Sequence, residues 1–347
     1  MKELLIDNIN LNEQTFIIAE LSANHGHEIE IAKKTMLAAK EAGADAVKLQ
    51  TYTPDTITIK SDKEYFKVQQ GTIWDGVTLY DLYSEAYLPW EWHQELFDYA
   101  NELGLICFSS PFDKTAVDLL EDLNTPAYKI ASFEITDIPL IEYVASKGKP
   151  VIISTGIATL GEIDEAVQAC KKMNNEQIIL LKCTSAYPAE IEDANLNTIP
   201  NLKDTFNVEV GLSDHTLGTT VPIVSIALGA KVIEKHFILD KSIGGPDASF
   251  SLSKSEFREM VKAIREAEQS LGKVDYELTD KKRNNRTFSR SLFVVKDVKA
   301  GEKFTEENVR SIRPGYGLAP KYSKEIYNSF AAENVQRGTP LEWKHIK

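Results

Sequence analysis

The chain has 347 residues, with 39 Lys and Arg against 52 Asp and Glu, a formal charge of -13. That balance argues against a nucleic-acid or anionic-membrane partner, while a 43% hydrophobic content suffices for a full globular core. Cys107, Cys170 and Cys183 are too few and too widely spaced for a disulfide framework or a zinc ribbon, and read as small hydrophobes in a reducing compartment. No apolar stretch of signal-peptide length opens the chain and no run of eighteen apolar residues follows, so a soluble cytoplasmic protein is expected.

From about residue 16 to about residue 270, short β-branched runs alternate with longer helical patterns. Strands are predicted at 16–22, 46–52, 105–110, 127–132, 150–155, 178–184, 208–214 and 231–237. Between them lie stretches such as IEIAKKTMLAAKEAGA and IDEAVQACKKM, apolar at three- and four-residue spacing. Gly43, Gly104 and Gly148 fall where helix C-caps belong. Eight strands separated by helices make a parallel sheet, and eight is the number that closes into a (β/α)8 TIM barrel. A doubly wound open sheet is disfavoured because no G-x-G-x-x-G or Walker pattern appears.

Residues 56–90 interrupt the rhythm with an aromatic and polar segment, KVQQGTIWDGVTLYDLYSEAYLPWEW. It reads as an insertion on the catalytic face, or as an ordinary long loop with some helix. After residue 270 the character changes, giving a barrel over 1–271, a charged linker over 272–286 and a small strand-rich domain over 287–347. About sixty residues make a marginal core, so this domain is expected to dock on something.

Polar residues gather at the strand ends, where a barrel of this kind builds its active site. They are Glu20; Lys48 and Gln50; Ser109 and Ser110; Lys129, Ser132 and Glu134; Ser154; Ser185 and Tyr187; Ser213 and His215; Glu234 and His236. Period-two alternation turns Lys48 with Gln50, Ser213 with His215, and Glu234 with His236 toward the barrel axis, and Leu49, Asp214 and Lys235 away from it. His215 and His236 end neighbouring strands and can clamp one cation. Two nitrogen donors, with oxygen for the rest, suit Mn²⁺, Co²⁺ or Mg²⁺ better than structural Zn²⁺. Glu20 or Glu234 would support the histidines from behind. Lys48 and Lys129, ringed by Ser132, Ser154 and Ser213, suit a small phosphate or carboxylate dianion, unless the lysines merely pair with Glu134 or Glu234. His25, His27, His93 and His345 lack such company, and His25 and His27 read as exposed loop histidines.

The strings IIAELSANHGH, AVKLQTYTPDT, PAYKIASFE, VIISTG, GLSDHT, IEKHF and GGPDASFSL resemble the sialic acid synthase family. The segment around VRSIRPGYGLAP looks like that family's antifreeze-like (SAF, β-clip) domain. The resemblance runs from the first strand to the end of the chain. It implies a metal-dependent condensation of phosphoenolpyruvate with an N-acetylated amino sugar, releasing phosphate. It assigns His215 and His236 to the metal, with Mn²⁺ first and Co²⁺ or Mg²⁺ next. It places Lys48, Lys129, Ser132, Ser154, Ser185 and Ser213 on phosphoenolpyruvate, with Gln50 and Glu134 beside its reacting end. Glu20, Tyr187 and Asp247 would face the sugar or the attacking water, with either Glu20 or Glu134 handling that water. The resemblance further implies a domain-swapped homodimer in which Arg313 reaches the partner's sugar. Ser22 and Ala23 stand where the sialate branch has Gly and Ile, Ser185 replaces its Asn, and Leu49 precedes Gln50. The segments QTYTPDT, GTIWDGVTLYDLYSEAYLPWEWH and FSRSLF look more like the pseudaminic acid synthase branch, whose sugar is 2,4-diacetamido-2,4,6-trideoxy-L-altrose.

Overall fold

The computed structural model describes residues 4–69 and 75–347. Residues 70–74, within the aromatic insertion read from the sequence, lie outside the described residues. The chain divides into two compact units, Met1–Gly272 and Lys273–Lys347.

In the first unit the alternating pattern resolves into a closed parallel barrel. Its strands are β1 (Phe16–Glu20), β2 (Ala46–Thr51), β3 (Ile106–Pro111), β4 (Tyr128–Ile130), β5 (Val151–Ser154), β6 (Ile178–Cys183), β7 (Glu209–Asp214) and β8 (Val232–His236). The sheet closes between β8 and β1, with His236 opposite Glu20 and Glu234 opposite Ile18. Alternation sorts the side chains as expected. Phe16, Ile18, Ala46, Phe108, Ile152, Ile179, Leu181 and Val232 fill the interior. Ile17, Ala19, Val47, Leu49, Tyr128, Ile153, Leu180 and Ile233 pack outward against the helices. The apolar interior stops short of the strand ends, so the last inward positions are free to be polar.

The helices begin and end where the sequence marks them. Gly43 (φ +96°) and Gly104 (φ +64°) take the left-handed cap position that closes Ile29–Ala42 and His93–Leu103. Thr159 and Ser253 open Leu160–Lys172 and Lys254–Leu271 with capping boxes to Glu162 and Glu256. Arg265 of the last helix bonds Asp45 Oδ2 at 2.8 Å and the Thr15 carbonyl at 2.7 Å, tying the final helix to the first two strands.

Two features differ from the sequence reading, and the described part of the insertion follows its loop-with-some-helix alternative. A two-residue ladder, Leu5–Ile6 against Ile9–Asn10, brings Leu4, Ile6 and Leu11 onto the inner cluster. Strands that short leave no periodicity to read. The fourth predicted strand ends early, at Ile130, and Ser132–Glu134 form a 3₁₀ turn. The described part of the insertion carries short helices at Pro54–Ile57 and Leu79–Ala86, with Lys67 bridged to Thr78.

In the second unit, β9 (Ser291–Val294) pairs antiparallel with β10 (Val309–Ile312). Isolated bridges add Pro340, Val335 and Phe330, and a small core forms around Leu292, Val298, Phe304, Val309, Ile326 and Leu341. Residues 273–290 are largely exposed and hold the short helix Asp280–Asn285. Among the described residues, no helix is long and apolar enough to cross a membrane.

Candidate active site

The C-terminal end of the barrel holds most of the predicted residues together, on strand ends and the turns that follow them. On most strands the first inward polar side chain sits one pleat above an apolar one: Glu20 above Ile18, Lys48 above Ala46, Ser110 above Phe108, Lys129 above Ala127, Ser154 above Ile152 and Glu234 above Val232.

The centre is a buried group of two lysines and two glutamates. Lys48 Nζ lies 2.7 Å from Glu20 Oε2 and 3.9 Å from Glu234 Oε2, and Lys129 Nζ lies 3.9 Å from Glu234 Oε1. Ser110 accepts from Lys48 at 3.3 Å, and Ser213 donates to Glu234 at 3.0 Å. The lysines are therefore paired with Glu234, as one reading of the sequence has it, and Lys48 has a closer partner in Glu20. Burial pushes Glu20 up to about 7 against the pull of Lys48. Burial would raise Glu234 too, but Lys129 and Lys48 outweigh it and hold that acid low. Glu134, on the turn after β4, is likewise pushed up to about 7 by burial, against Lys129. Burial lowers Lys129, opposed by Glu234.

Ser132, Ser154, Ser185 and Gly156 form the second part. Gly156 N–H donates to Ser132 Oγ at 3.2 Å. A Cβ at Gly156 would stand 2.2 Å from Ser185 Oγ, 2.9 Å from Ser132 Oγ and 3.2 Å from Cys183 Sγ, so a side chain there would fill the space those groups share. Ser154 Oγ is buried without a hydrogen-bond partner.

The third part is the histidine pair. His215 and His236 rings lie 5.2 Å apart, as neighbouring strand ends require. His215 Nδ1 donates to the Thr184 carbonyl at 2.9 Å, so Nε2 is the nitrogen left to face a cation. Burial lowers this ring, but the Cys183 thiol and the Thr184 carbonyl outweigh it and hold His215 above the usual histidine range, so a cation there would have to displace a proton. His236 Nδ1 is buried without a hydrogen-bond partner, 3.8 Å from Asp247 Oδ2. Burial and the neighbouring His215 hold His236 well below the usual histidine range, in the neutral form a cation requires. Among the described residues no group of three or more His, Cys, Asp or Glu is arranged to hold an ion. Two imidazole nitrogens are the donors at the pair, so a cation there would need oxygen ligands for the rest. Neither Glu20 nor Glu234 bonds to the histidines; the carboxylate near them is Asp247.

Behind the pair, Asp214 and Lys235 point away from the axis as alternation requires. They form a buried ion pair, with Lys235 also bonded to the Thr216 carbonyl and Thr216 N–H donating to Asp214 at 3.0 Å.

Several residues were not singled out in the sequence. Phe250 packs its ring on His236 (4.9 Å), Tyr187 (5.4 Å) and His215 (6.1 Å). Tyr187 in turn stacks on His215 at 4.5 Å. Tyr52 packs between Tyr83 of the insertion (5.6 Å) and Phe112 (5.1 Å). Cys183, read as an inert hydrophobe, ends β6 beside Ser185 (3.8 Å) and His215 Nδ1 (3.9 Å). Burial raises its thiol, but His215, Ser132 and Lys129 outweigh that and bring it to about 7. Glycine motifs and an SFS string carry no local signal for such contacts.

Other residues marked by the sequence fall elsewhere. Ser109 faces the helices, bonded to Thr51, which contacts His93. His25 is 1% exposed rather than a loop-surface residue, because the insertion brings Trp92 against it; His27 is exposed. Arg313 stands exposed in the second unit, after β10.

The NeuB family model matches residues 35–276 and the SAF domain model matches residues 289–347. The chain is 50% identical over 337 residues to the pseudaminic acid synthase of Campylobacter jejuni strain 81-176, covering 97% of this chain and 98% of that one. It is 50% identical over 332 residues to the pseudaminic acid synthase of Helicobacter pylori, covering 95% and 97%. The solved spore coat polysaccharide biosynthesis protein SpsE of Bacillus subtilis superposes with a TM-score of 0.68 at 33% identity, covering 99% of each chain. Barrel, polar rim and sequence identity agree: the chain belongs to the NeuB family, the sialic acid synthases.

Proposed function

We propose that the protein is a pseudaminic acid synthase. It condenses phosphoenolpyruvate with 2,4-diacetamido-2,4,6-trideoxy-L-altrose and water to give pseudaminic acid and phosphate. The observation that carries this reading is the 50% identity to pseudaminic acid synthases over nearly the full chain.

Lys48 and Lys129, with Ser132, Ser154, Ser185 and Ser213, would hold the phosphate and carboxylate of phosphoenolpyruvate; entry of that anion would compete with Glu20 for Lys48. Gln50 would lie at its reacting end. His215 Nε2 and His236 would hold a divalent cation, Mn²⁺ in preference to Co²⁺ or Mg²⁺. Such a cation, when bound, polarises the aldehyde oxygen of the open-chain sugar. Tyr187 and Asp247 would orient that sugar so that the enol carbon of phosphoenolpyruvate bonds to its aldehyde carbon. Water then adds to the phosphate-bearing carbon, giving one proton to the carboxylate of Glu20 or Glu134, which would pass it to the new alkoxide. The water's second proton leaves with the phosphate as the ketone forms. The C–O bond breaks and phosphate leaves with the bond's electrons. Carboxyls held near neutrality by burial suit that proton transfer.

The active unit would be a swapped homodimer, the second unit of one chain capping the barrel of its partner with Arg313 on the sugar. Two observations support the cap. Residues 273–347 hold 16 Lys and Arg against 10 Asp and Glu, a formal +6, which leaves -19 on residues 1–272. Phe133, Ile157, Ile191 and Leu217 are exposed on the turns after β4, β5, β6 and β7, an apolar rim around the site.

Phosphoenolpyruvate carrying ¹⁸O at its bridging oxygen tests the chemistry. C–O cleavage delivers the label to inorganic phosphate; label retained in the sugar product would refute the mechanism.

A further inference from the structure

Ser22, one turn beyond β1, has φ +46°, in the left-handed half of the backbone map. It is the first central residue of a tight turn closed by Asn24 N–H on the Leu21 carbonyl at 2.9 Å. Positive φ at such a position is ordinarily met by glycine, asparagine or aspartate. A serine there carries backbone strain, and residues held in this way gather at working sites.

The hydroxyl is not idle. Gln50 Nε2 donates to Ser22 Oγ at 3.0 Å and to Glu20 Oε1 at 2.9 Å. With its oxygen already accepting from Gln50, the single Ser22 proton is free for the Asp247 carboxylate, which the Ser22 side chain reaches. The turn also aims the next backbone N–H, that of Ala23, at Asp247 Oδ2, 3.4 Å away. Asp247 in turn faces His236 Nδ1 at 3.8 Å. All the groups are buried or nearly so, so each bond is made away from solvent. The result is one linked set centred on Gln50, which donates to Glu20 on one side and to Ser22 on the other, with the Ser22 side chain and the Ala23 N–H facing Asp247. It links the acid end of the site to the histidine end.

We propose that Ser22 is a positioning residue, its strained backbone and hydroxyl together aiming Asp247 at the sugar beside the histidine pair. The inference rests on the condensing role given above.

Ser22→Gly separates strain from positioning. Glycine adopts this φ freely, so the variant is expected to melt within about 2 °C of the wild type. Its KM for the sugar rises about 10-fold, as loss of one hydrogen bond to a charged group implies, while the KM for phosphoenolpyruvate stays within about two-fold of the wild type. Ser22→Ala shows the same sugar defect and melts lower, because the strain persists without the bonds that offset it. A wild-type sugar KM in Ser22→Gly overturns the proposal. So does a parallel loss of both KM values and melting temperature in both variants, which is the mark of a purely structural residue. If the wild type itself releases no phosphate with any sugar, the reaction assignment fails, and this inference fails with it.

Discussion

Gly156→Ala adds one methyl group at the point where three side chains meet, 2.2 Å from Ser185 Oγ, 2.9 Å from Ser132 Oγ and 3.2 Å from Cys183 Sγ. The backbone of Gly156 is not in the left-handed region, so alanine is sterically barred only by those neighbours. Both hydroxyls can rotate away at a cost of about 1 kcal/mol, worth about 3 °C in melting temperature for a domain of this size. Function suffers more than stability. The two serines are displaced by about 1 Å from where they would hold phosphoenolpyruvate, and a misplacement of that order costs about 100-fold in rate. The prediction is a fall of about that size in kcat/KM for phosphoenolpyruvate, read by phosphate release, with a small change in thermal melt. Gly161→Ala is the control: it follows on the next helix, meets nothing within 4 Å, and leaves kinetics unchanged. Wild-type kcat/KM in Gly156→Ala would refute the reasoning, and so would an equal loss in Gly161→Ala.

Other predictions rest on different parts of the barrel. Lys235→Met strands Asp214 as an uncompensated buried charge and is expected to cost about 3–5 kcal/mol by thermal or denaturant melt, much of it recovered in Lys235→Met with Asp214→Leu. His236→Ala abolishes metal-dependent phosphate release and weakens Mn²⁺ binding by calorimetry, with a circular dichroism spectrum like that of the wild type. Burial raises Glu20 and Glu134 from the ordinary value near 4.5 to about 7, so the folded state prefers both acids protonated. The stability this contributes is full below about 4.5 and is lost as pH climbs through about 7. The melting temperature of the metal-free protein should therefore fall between pH 5 and 8, and Glu134→Gln should flatten that fall; an unchanged slope would count against the assignment. Arg313→Ala raises the KM for the sugar far more than that for phosphoenolpyruvate. Mixing it with His236→Ala restores activity if the arginine acts across subunits, and none if it acts within one.

The barrel was legible because its strands are β-branched runs of regular spacing, the helices between them end on glycine caps, and period-two alternation does not depend on neighbours far away in sequence. The same rule put Lys48, Glu234 and His236 inward and Leu49, Asp214 and Lys235 outward. What it cannot supply is pairing across strands. Nothing local to Lys48 says that Glu20, 28 residues earlier, lies 2.7 Å away, or that Asp247 rather than a glutamate stands by His236. Cys183 looks like Cys107 in sequence, an isolated thiol in an apolar run, and differs only because its inward-facing position brings it to His215. Gly156 and Phe250 owe their places to close packing between loops, and the burial of His25 to Trp92, far downstream in the sequence.

The most direct test is phosphate release from phosphoenolpyruvate, with Mn²⁺ or with EDTA, offering three sugars one at a time. They are 2,4-diacetamido-2,4,6-trideoxy-L-altrose, its D-manno counterpart and N-acetylmannosamine. The account predicts release with the first sugar alone, lost in EDTA. Faster release with either other sugar would contradict the pseudaminate assignment, and no release with any of them would contradict the synthase itself.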